Sequence, residues 1–246
     1  MTRLRLAIFS DVHGNLHAME AVLADARERA DGWVVAGDLA WGGPFPAEVI
    51  DRVRSLGCPV VLGNTDQTLL EETAHPYARW ARARLEDEHL DYLRSLPLVH
   101  WIDPPTTAAG AAVATGSGRL LVVHSTPDDP ARALPDPTQE EGLERLFGQL
   151  PAEMVVHGHD HRVSRVRLAR TTVVGLGSVG LPLDGDPRAA YALFSWVPGL
   201  GWQVEHRRVA YDVEAAGEAA RLRGCPGSQR WAEAIRRGVS PDRVTL

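Results

Sequence analysis

The sequence contains no lysine, and cysteine occurs at only two positions, Cys58 and Cys225. Two distant cysteines without close spacing argue against a thiolate metal site and against a disulfide scaffold, so we expect reduced thiols. No apolar run approaches the length of a transmembrane helix, and the apolar stretch before residue 10 is too short for a signal peptide. These absences predict a cytoplasmic protein with no membrane partner.

Blocks of positive charge are also lacking. All 26 basic residues are arginine, they are mixed with 32 acidic residues, and the net charge is −6. This distribution argues against a nucleic-acid partner. It does not exclude an anionic substrate, because a bound divalent cation sets the local field whatever the net charge. The chain has 246 residues without an evident linker or internal repeat, so we predict a single α/β domain spanning residues 1–246.

The most informative stretch is rich in histidine. An apolar run at residues 154–156 is followed within five residues by His157, His159 and His161. At the carboxyl end of a strand, imidazoles on alternate residues can point at one spot, which suits a metal centre. The alternative is a surface loop that happens to be rich in histidine.

Two acidic residues follow predicted strands near the N-terminus. Short apolar runs end just before Asp11, with His13 two residues further on, and just before Asp38. A helix predicted at residues 16–29 joins the two runs, so a right-handed parallel crossover would bring Asp11 and Asp38 to the same edge of one sheet. Asp11 could instead form an Asx turn or cap the helix.

Two more predicted strands end in candidate ligands. Residues 59–62 precede Asn64 and Asp66, and residues 119–123 precede His124. Asn64 offers an amide oxygen to an ion or caps the next helix, whereas Asp66 either binds an ion or holds the loop in place.

The candidate ligands are therefore Asp11, His13, Asp38, Asn64, His124, His159 and His161. They supply only oxygen and imidazole nitrogen, which favours Mn²⁺, Fe or Zn²⁺ over a soft metal. Seven ligands are too many for one ion and suit two ions about 3.5–4 Å apart that share a carboxylate.

The remaining patterns predict structure rather than chemistry. Helices are predicted at 47–56, 67–95 and 139–149, further strands at 98–102, 111–114, 162–168 and 172–174, a hairpin at 190–210, and tail helices at 213–223 and 229–237. We expect His75 and His89 at the surface. Trp41 either covers the core or lines the site. The tail shows no chemistry.

In this order of motifs the sequence resembles the calcineurin-like metallophosphoesterases, and more narrowly their small bacterial and archaeal phosphodiesterase-like branch. The family pattern is Asp-x-His, Gly-Asp, Gly-Asn-x-Asp/Glu, His and Gly-His-x-His. This chain meets it with Asp11/His13, Gly37/Asp38, Gly63/Asn64/Asp66, His124 and Gly158/His159/His161. The segments 177–180 and 210–213 also look like this branch.

The resemblance implies a four-layer αββα sandwich, in which two mixed β-sheets are flanked by helices. It implies that one divalent ion is held by Asp11, His13 and His161, the other by Asn64, His124 and His159, with Asp38 as the bridge. Manganese is the favoured metal, with Fe, Zn, Ni and Co as alternatives. A hydroxide bridging the ions would attack phosphorus in line. Residues 67–97 would form a helical insertion or cap, and residues 211–246 a helical tail.

Three departures from the family pattern bear on the substrate. Thr65 stands where many relatives have a histidine that protonates the leaving group, and a threonine hydroxyl cannot supply a proton at neutral pH. His157 and His17 are candidate replacements for this acid. Ser125 replaces a common glycine and is expected to narrow the pocket. The loop after Asp38 lacks the phosphate-gripping arginine of the Ser/Thr protein phosphatases.

These features predict a metal-dependent phosphodiesterase that acts on a small or nucleotide-like phosphodiester. The enzyme alternative is a phosphomonoesterase, a class that includes protein phosphatases and dinucleoside polyphosphate hydrolases. The non-enzyme alternative is a metal-binding regulatory module, and the retention of all seven ligands argues against it. The sequence does not indicate an oligomeric state.

Overall fold

The computed structural model describes residues 4–105 and 118–245. Its strands are β1 (Arg5–Phe9), β2 (Gly32–Val35), β3 (Val99–Ile102), β4 (Leu120–Val123), β5 (Met154–His157), β6 (Val163–Arg167), β7 (Thr172–Leu176), β8 (Ala189–Val197) and β9 (Gly201–Val209). Its helices are α1 (Leu16–Ala26), α2 (Pro46–Leu56), α3 (Asn64–Leu70), α4 (Pro76–Arg82), α5 (Asp87–Ser95), α6 (Glu140–Phe147), α7 (Val213–Leu222) and α8 (Ser228–Arg237), followed by a 3₁₀ turn at Pro241–Arg243. The strand predicted at residues 111–114 lies outside the described residues. Among the helices described, none is long and apolar enough to cross a membrane.

The strands form two mixed sheets. The first has the order β2-β1-β8-β9, in which β1 and β2 are parallel and the other pairs are antiparallel. The second has the order β3-β4-β5-β7-β6, in which β4, β5 and β7 are parallel and the edge strands run antiparallel to their neighbours. The parallel pair β1–β2, joined by α1, confirms that the predicted connection is a parallel crossover.

Three buried clusters show how the layers stack. Ile8 of β1 and Val122 of β4 belong to the cluster that lies between the two sheets. Met19 of α1 packs on the outer face of the first sheet, and Phe147 of α6 packs with Val155 on the outer face of the second. The layer order is helix, sheet, sheet, helix, as the resemblance implies. Central strands are apolar on both faces, which explains their uninterrupted apolar runs.

The third predicted strand is instead a single parallel bridge between Val35 and Val60. Pro59 has no N–H to donate to a ladder, and beyond the bridge the amide of Leu62 donates to Pro97 O at 2.8 Å rather than to β2. The segment still runs beside β2 and delivers the residues that follow to the same end of the sheet.

The helix predicted over residues 67–95 is divided into α3, α4 and α5. Pro76 begins α4, where the missing N–H costs nothing because first-turn amides have no intrahelical partner. His75 is exposed, as expected. The prediction of a surface position is wrong for His89, whose exposed fraction is only 4%. Its ring accepts a hydrogen bond from Glu86 N at 2.9 Å and so caps α5, a local role that the hydrophobic pattern does not report.

Candidate metal centre

Seven side chains carried by both sheets meet at one end of the sandwich. They lie in the loops after β1, β2, β4 and β5 and at the start of α3. The first group is Asp11, His13, Asp38 and His161, whose ligating atoms all lie within 4.8 Å of one another in a buried cluster that could hold a metal ion. The second group is Asn64, His124 and His159. The structure therefore brings together every site residue predicted from the sequence.

The first group holds imidazole lone pairs that face one another. Nδ1 of His13 lies 2.6 Å from Trp41 O and Nδ1 of His161 lies 2.5 Å from Leu181 O, so each Nδ1–H donates to a carbonyl. This leaves both Nε2 atoms as acceptors, only 3.1 Å apart. Nε2 of His161 is also 3.2 Å from a carboxylate oxygen of Asp11. Acceptors at such distances require a proton or a metal cation between them.

The second group repeats this arrangement. Nδ1 of His124 lies 2.7 Å from Ala36 O, which again leaves Nε2 free to accept. That Nε2 and Nδ1 of His159 both lie 2.9 Å from Oδ1 of Asn64. Burial and the neighbouring His124 lower the pKa of His159, which keeps its imidazole neutral and able to bind a metal. Asn64 does not cap α3, because Gly63 occupies that position.

Asp38 lies between the two groups. Its Oδ2 is 3.5 Å from Nε2 of His13, and its Oδ1 is 3.4 Å from Nε2 of His124. The Thr65 amide donates to the same Oδ1 at 2.9 Å and fixes the carboxylate in this orientation. One carboxylate thus turns one oxygen to each group, the placement that a shared ligand needs.

The backbone at the site is strained. Among the described residues, five that are not glycine have a positive φ, namely Asp11 (57°), His13 (50°), Asp38 (57°), His159 (69°) and His161 (57°). Left-handed backbone at such residues costs about 1–3 kcal/mol each and persists only where the surroundings impose it. All five belong to the seven candidate ligands, so the strain coincides with the proposed chemistry.

Two glycines allow the loops to approach one another. A Cβ at Gly63 would lie 2.1 Å from Oδ1 of Asp38, and a Cβ at Gly158 would lie 2.0 Å from Oγ of Ser10 and 2.5 Å from Oδ2 of Asp11. Real side chains cannot pack at such distances. The glycines of the Gly-Asn and Gly-His motifs are therefore required by the close contact of ligand loops from different strands.

Asp66 holds the Asp38 loop, one of the two roles expected for it. Its carboxylate accepts hydrogen bonds from the amides of Asp38 and Leu39, both at 2.8 Å. Burial and the negative charge of Asp38 raise the pKa of Asp66 to about 7. A cation beside Asp38 would relieve this repulsion and favour the ionised form, which is the better acceptor for the two amides.

The loop at residues 177–180 supports the Asp11 loop. Ser178 Oγ donates to Asp11 O at 2.8 Å, and the Asn15 side chain donates to Gly180 O at 3.0 Å and to the Tyr211 hydroxyl at 3.1 Å. Asn15 also caps α1, because its side-chain oxygen accepts a hydrogen bond from Ala18 N. The two family-like segments at 177–180 and 210–213 therefore meet at Asn15, behind the first ligand loop.

The buried charges of the first group stabilise one another. Burial favours the neutral acid at Asp11, but the facing imidazoles of His161 and His13 hold the pKa of that carboxyl well below its usual range. Burial likewise opposes the cationic form of His161, but Asp11 outweighs it and raises the pKa of His161 to about 9. Without a metal, the first group therefore holds a proton at neutral pH.

Metal affinity should consequently depend on pH. A cation that binds Nε2 of His161 must displace a proton held up to about pH 9. Apparent affinity should thus rise by about tenfold per pH unit from neutral pH, for one proton released, and level off above the pKa of His161. Calorimetric titration of metal-free protein with Mn²⁺, in buffers of different ionisation enthalpy, measures affinity and proton release together. A pH-independent affinity over this interval would contradict the assignment of His161 as a ligand.

A cleft of about 630 Å³ adjoins the first group. It is lined by His13 and Thr65, by the half-buried Trp41, and by Arg230 and Trp231 of α8. Trp41 therefore lines the site and also packs against the core cluster of the first sheet. The sequence assigned no chemistry to the C-terminal helices, because nothing in their own pattern shows that α8 folds back beside the ligand loops.

The two candidate replacements for the missing histidine, His157 and His17, pack against aromatic rings. His157 is 2% exposed and stacks on Phe147, on the face of the second sheet that packs against α6. His17 packs against Phe45, and neither histidine lines the cleft. Within the described residues, the buried Thr65 hydroxyl has no hydrogen-bond partner.

The structure also shows the surroundings of the other two departures from the family pattern, Ser125 and the missing arginine after Asp38. The Ser125 hydroxyl donates to Arg132 O at 2.5 Å and fastens the loop that follows β4. In the part of the chain that the structure describes, no arginine hydrogen bonds or ion pairs with any of the seven site residues, in line with the missing arginine after Asp38. The exposed Arg165 and Arg167 lie on β6, where they are solvated as expected.

The chain is similar to proteins of one family. A model of the calcineurin-like phosphoesterase superfamily domain matches residues 4–197. A crystal structure of a metallophosphoesterase from Sphaerobacter thermophilus has a TM-score of 0.77 and 29% identity, covering 96% of this chain and 100% of that chain. An uncharacterized protein of Methanocaldococcus jannaschii is 26% identical over 245 residues, 89% of this chain and 92% of that protein. A symmetrical bis(5′-nucleosyl)-tetraphosphatase of Klebsiella pneumoniae is 30% identical over 156 residues, 58% of this chain and 55% of that protein.

The family match includes every described strand except β9 and all seven converging side chains. It confirms the resemblance drawn from the order of the motifs, and the donor set of carboxylate, amide and imidazole groups suits a hard or intermediate divalent cation. This chain belongs to the calcineurin-like phosphoesterase superfamily, whose members are metal-dependent phosphoesterases.

Proposed function

We propose that this protein is a phosphodiesterase that works with two divalent cations, Mn²⁺ being the favoured metal, and hydrolyses a small or nucleotide-like phosphodiester. The observation that carries the proposal is the position of Asp38, whose two oxygens face different groups of acceptor atoms. One cation would be held by Asp11, His13 and His161 and the other by Asn64, His124 and His159, with Asp38 shared.

Two cations so placed polarise a phosphoryl oxygen and make hydroxide available near neutral pH. The residues of the chain fix that geometry before substrate arrives, which is the main source of electrostatic catalysis. Trp41 O and Leu181 O orient two imidazoles, and Asp66 holds the loop of the shared carboxylate. Water is the nucleophile in this scheme, so no covalent phosphoenzyme should accumulate.

One feature favours a diester over a monoester, and a second bears on the leaving group. A monoester dianion carries more charge than a diester monoanion and gains more from a bidentate arginine, yet none of the described arginines contacts the seven ligands. Thr65 cannot protonate a leaving group, so substrates whose leaving group departs as a stable anion should react best.

The second candidate function is hydrolysis of dinucleoside polyphosphates. It is supported by the similarity to the symmetrical bis(5′-nucleosyl)-tetraphosphatase of Klebsiella pneumoniae, which covers 58% of this chain. A pyrophosphate bond also breaks with loss of a stable phosphate anion, so the lack of an acid at Thr65 does not count against it.

A substrate panel on one preparation tests both candidates. Metal-free protein reconstituted with Mn²⁺ should hydrolyse bis(4-nitrophenyl) phosphate with a higher kcat/KM than 4-nitrophenyl phosphate, and the metal-free protein should be inactive. The opposite ranking would overturn the diesterase assignment. Turnover of diadenosine tetraphosphate without turnover of the aryl diester would select the second candidate. Inactivity on all substrates with two ions bound would select a regulatory module.

A further inference from the structure

The C-terminal helix α8 contributes one arginine to the cleft beside the metal centre, and Asp242 of the following 3₁₀ turn also lines this cleft. Gly227, which precedes the helix, and Arg230 and Trp231 within its first turn all line this cleft. The N-terminus of α8 has no side-chain cap. The amide of Ser228 donates to Cys225 O at 3.0 Å, which leaves the amides of Gln229 and Arg230 available to an anion, and the helix dipole adds positive potential there.

Arg230 differs from the arginines at the other end of α8. Arg236 forms ion pairs with Glu214 and Glu233, and Arg237 lies 3.9 Å from Glu233. Arg230 is exposed and, in the part of the chain that the structure describes, has no carboxylate within ion-pair distance. Its guanidinium is therefore free to bind an anionic group of a ligand in the cleft.

The cleft also has a fixed aromatic surface. The ring of Trp41 contacts those of His75 and Tyr77, with centroid distances of 4.7 Å and 5.3 Å. The Tyr77 hydroxyl donates to Gly43 O at 2.6 Å, which anchors this group of rings to the loop after β2. Trp41 remains partly exposed and offers a planar ligand a stacking contact.

The α8 side of the cleft is anchored as well. Trp231 is 4% exposed, and Gly185 N donates to Gly238 O at 2.9 Å, which ties the end of α8 to the loop after Leu181. Because that loop also orients His161 through Leu181 O, the helix and the metal centre share one rigid support. The backbone of Arg230 is thus carried by a helix that is tied to the loop orienting His161.

We propose that this cleft is a subsite for a planar ring and a second anionic group, a phosphate or carboxylate, of the substrate. Arg230 and the N-terminal turn of α8 bind the second anion, and the aromatic surface around Trp41 binds the ring. The inference rests on the proposed function and narrows it to nucleotide-bearing phosphoesters that carry a phosphate besides the one that is cleaved. A volume of about 630 Å³ is within the range of small-ligand sites.

Turnover tests the proposal with three chromogenic diesters. These are bis(4-nitrophenyl) phosphate, the 4-nitrophenyl ester of thymidine 5′-phosphate, and the same ester carrying a 3′-phosphate. Arg230→Ala should raise KM for the 3′-phosphorylated ester by about 10- to 100-fold, the effect of losing a charge-assisted hydrogen bond. The KM values for the other two esters should stay within about twofold of those of the wild-type protein. Arg237→Ala, the matched control at the far end of the helix, should leave all three unchanged.

Binding tests the subsite without turnover. Calorimetry on the Mn²⁺-loaded protein should show that thymidine 3′,5′-bisphosphate binds at least about tenfold more tightly than thymidine 5′-phosphate, and that Arg230→Ala abolishes this preference. Thymidine 5′-phosphate should in turn bind more tightly than 2-deoxyribose 5-phosphate, because only the former has a ring to stack.

The outcomes separate the two proposals. If no diester is hydrolysed but the bisphosphate preference is present and depends on Arg230, the subsite stands and the diesterase assignment fails. If Arg230→Ala weakens the binding of every substrate to the same extent, Arg230 binds the cleaved phosphoryl group and the second-anion proposal is overturned. Equal affinities for the bisphosphate and the monophosphate in the wild-type protein would also overturn it.

Discussion

Replacing Asp38 with alanine should lower kcat/KM for bis(4-nitrophenyl) phosphate by at least about 10³-fold, since several kcal/mol of charge stabilisation depend on two cations held together. The carboxylate faces both groups of acceptors, at 3.5 Å from His13 and 3.4 Å from His124. Its removal should therefore also lower the metal content per chain. Initial rates and elemental analysis of the same reconstituted sample measure the two effects.

Two further variants separate chemistry from folding. Asp38 has a φ of 57°, which alanine adopts less readily than asparagine, so Asp38→Asn tests loss of charge with less backbone cost. Asp91→Ala removes a carboxylate that is 74% exposed and should leave activity and metal content unchanged. Near wild-type turnover by Asp38→Asn with two ions bound would contradict the role of Asp38 as a shared ligand.

Replacing Thr65 with histidine should speed the hydrolysis of diesters whose leaving group is a poor anion, such as an alkyl alcohol, by about 10²-fold or more. The threonine side chain lines the cleft next to the first group, and its hydroxyl makes no hydrogen bond within the described residues, so little is lost on substitution. The backbone N–H that holds Asp38 is kept. The gain is measured as the initial rate of hydrolysis of a dialkyl phosphate, compared with that of methyl 4-nitrophenyl phosphate, which releases 4-nitrophenolate.

The pattern across leaving groups is the decisive part of this experiment. 4-Nitrophenolate leaves without a proton, so Thr65→His should hardly change the rate at which it is released. Thr65→Gln, which adds bulk and polarity without an acid, should give no gain on either substrate. An equal acceleration of both leaving groups, or none on the alkyl ester, would show that the absence of a histidine at this position does not limit the chemistry.

The ligand positions could be predicted because each follows a strand that the sequence marks clearly. Asp11 and Asp38 follow apolar runs buried on both faces, and the helix between those runs fixes a parallel crossover. His124 and His159 follow β4 and β5, which are likewise parallel. Residues after the carboxyl ends of parallel strands lie at one edge of their sheet, so the proximity of the ligands within each sheet follows from local patterns together with a general topological rule. That the two sheets bring their ligands to one site was implied only by the family resemblance.

What the sequence could not indicate depends on contacts between distant segments. The 59–62 segment has a strand composition, yet only Val60 pairs, because the chain turns to bond Pro97. His89 reads as a surface residue until its ring is seen to cap α5. The role of Arg230 depends on the return of α8 to the metal centre, and this helix begins 67 residues beyond the last ligand, His161.

Anomalous diffraction from crystals of the Mn²⁺-reconstituted protein tests most directly whether the two groups of side chains hold two cations. We predict two anomalous peaks about 3.5–4 Å apart, one within reach of Asp11, His13 and His161, the other within reach of Asn64, His124 and His159, and Asp38 in contact with both. A single peak, or a second peak that lies away from Asn64 and His124, would contradict a shared dinuclear centre.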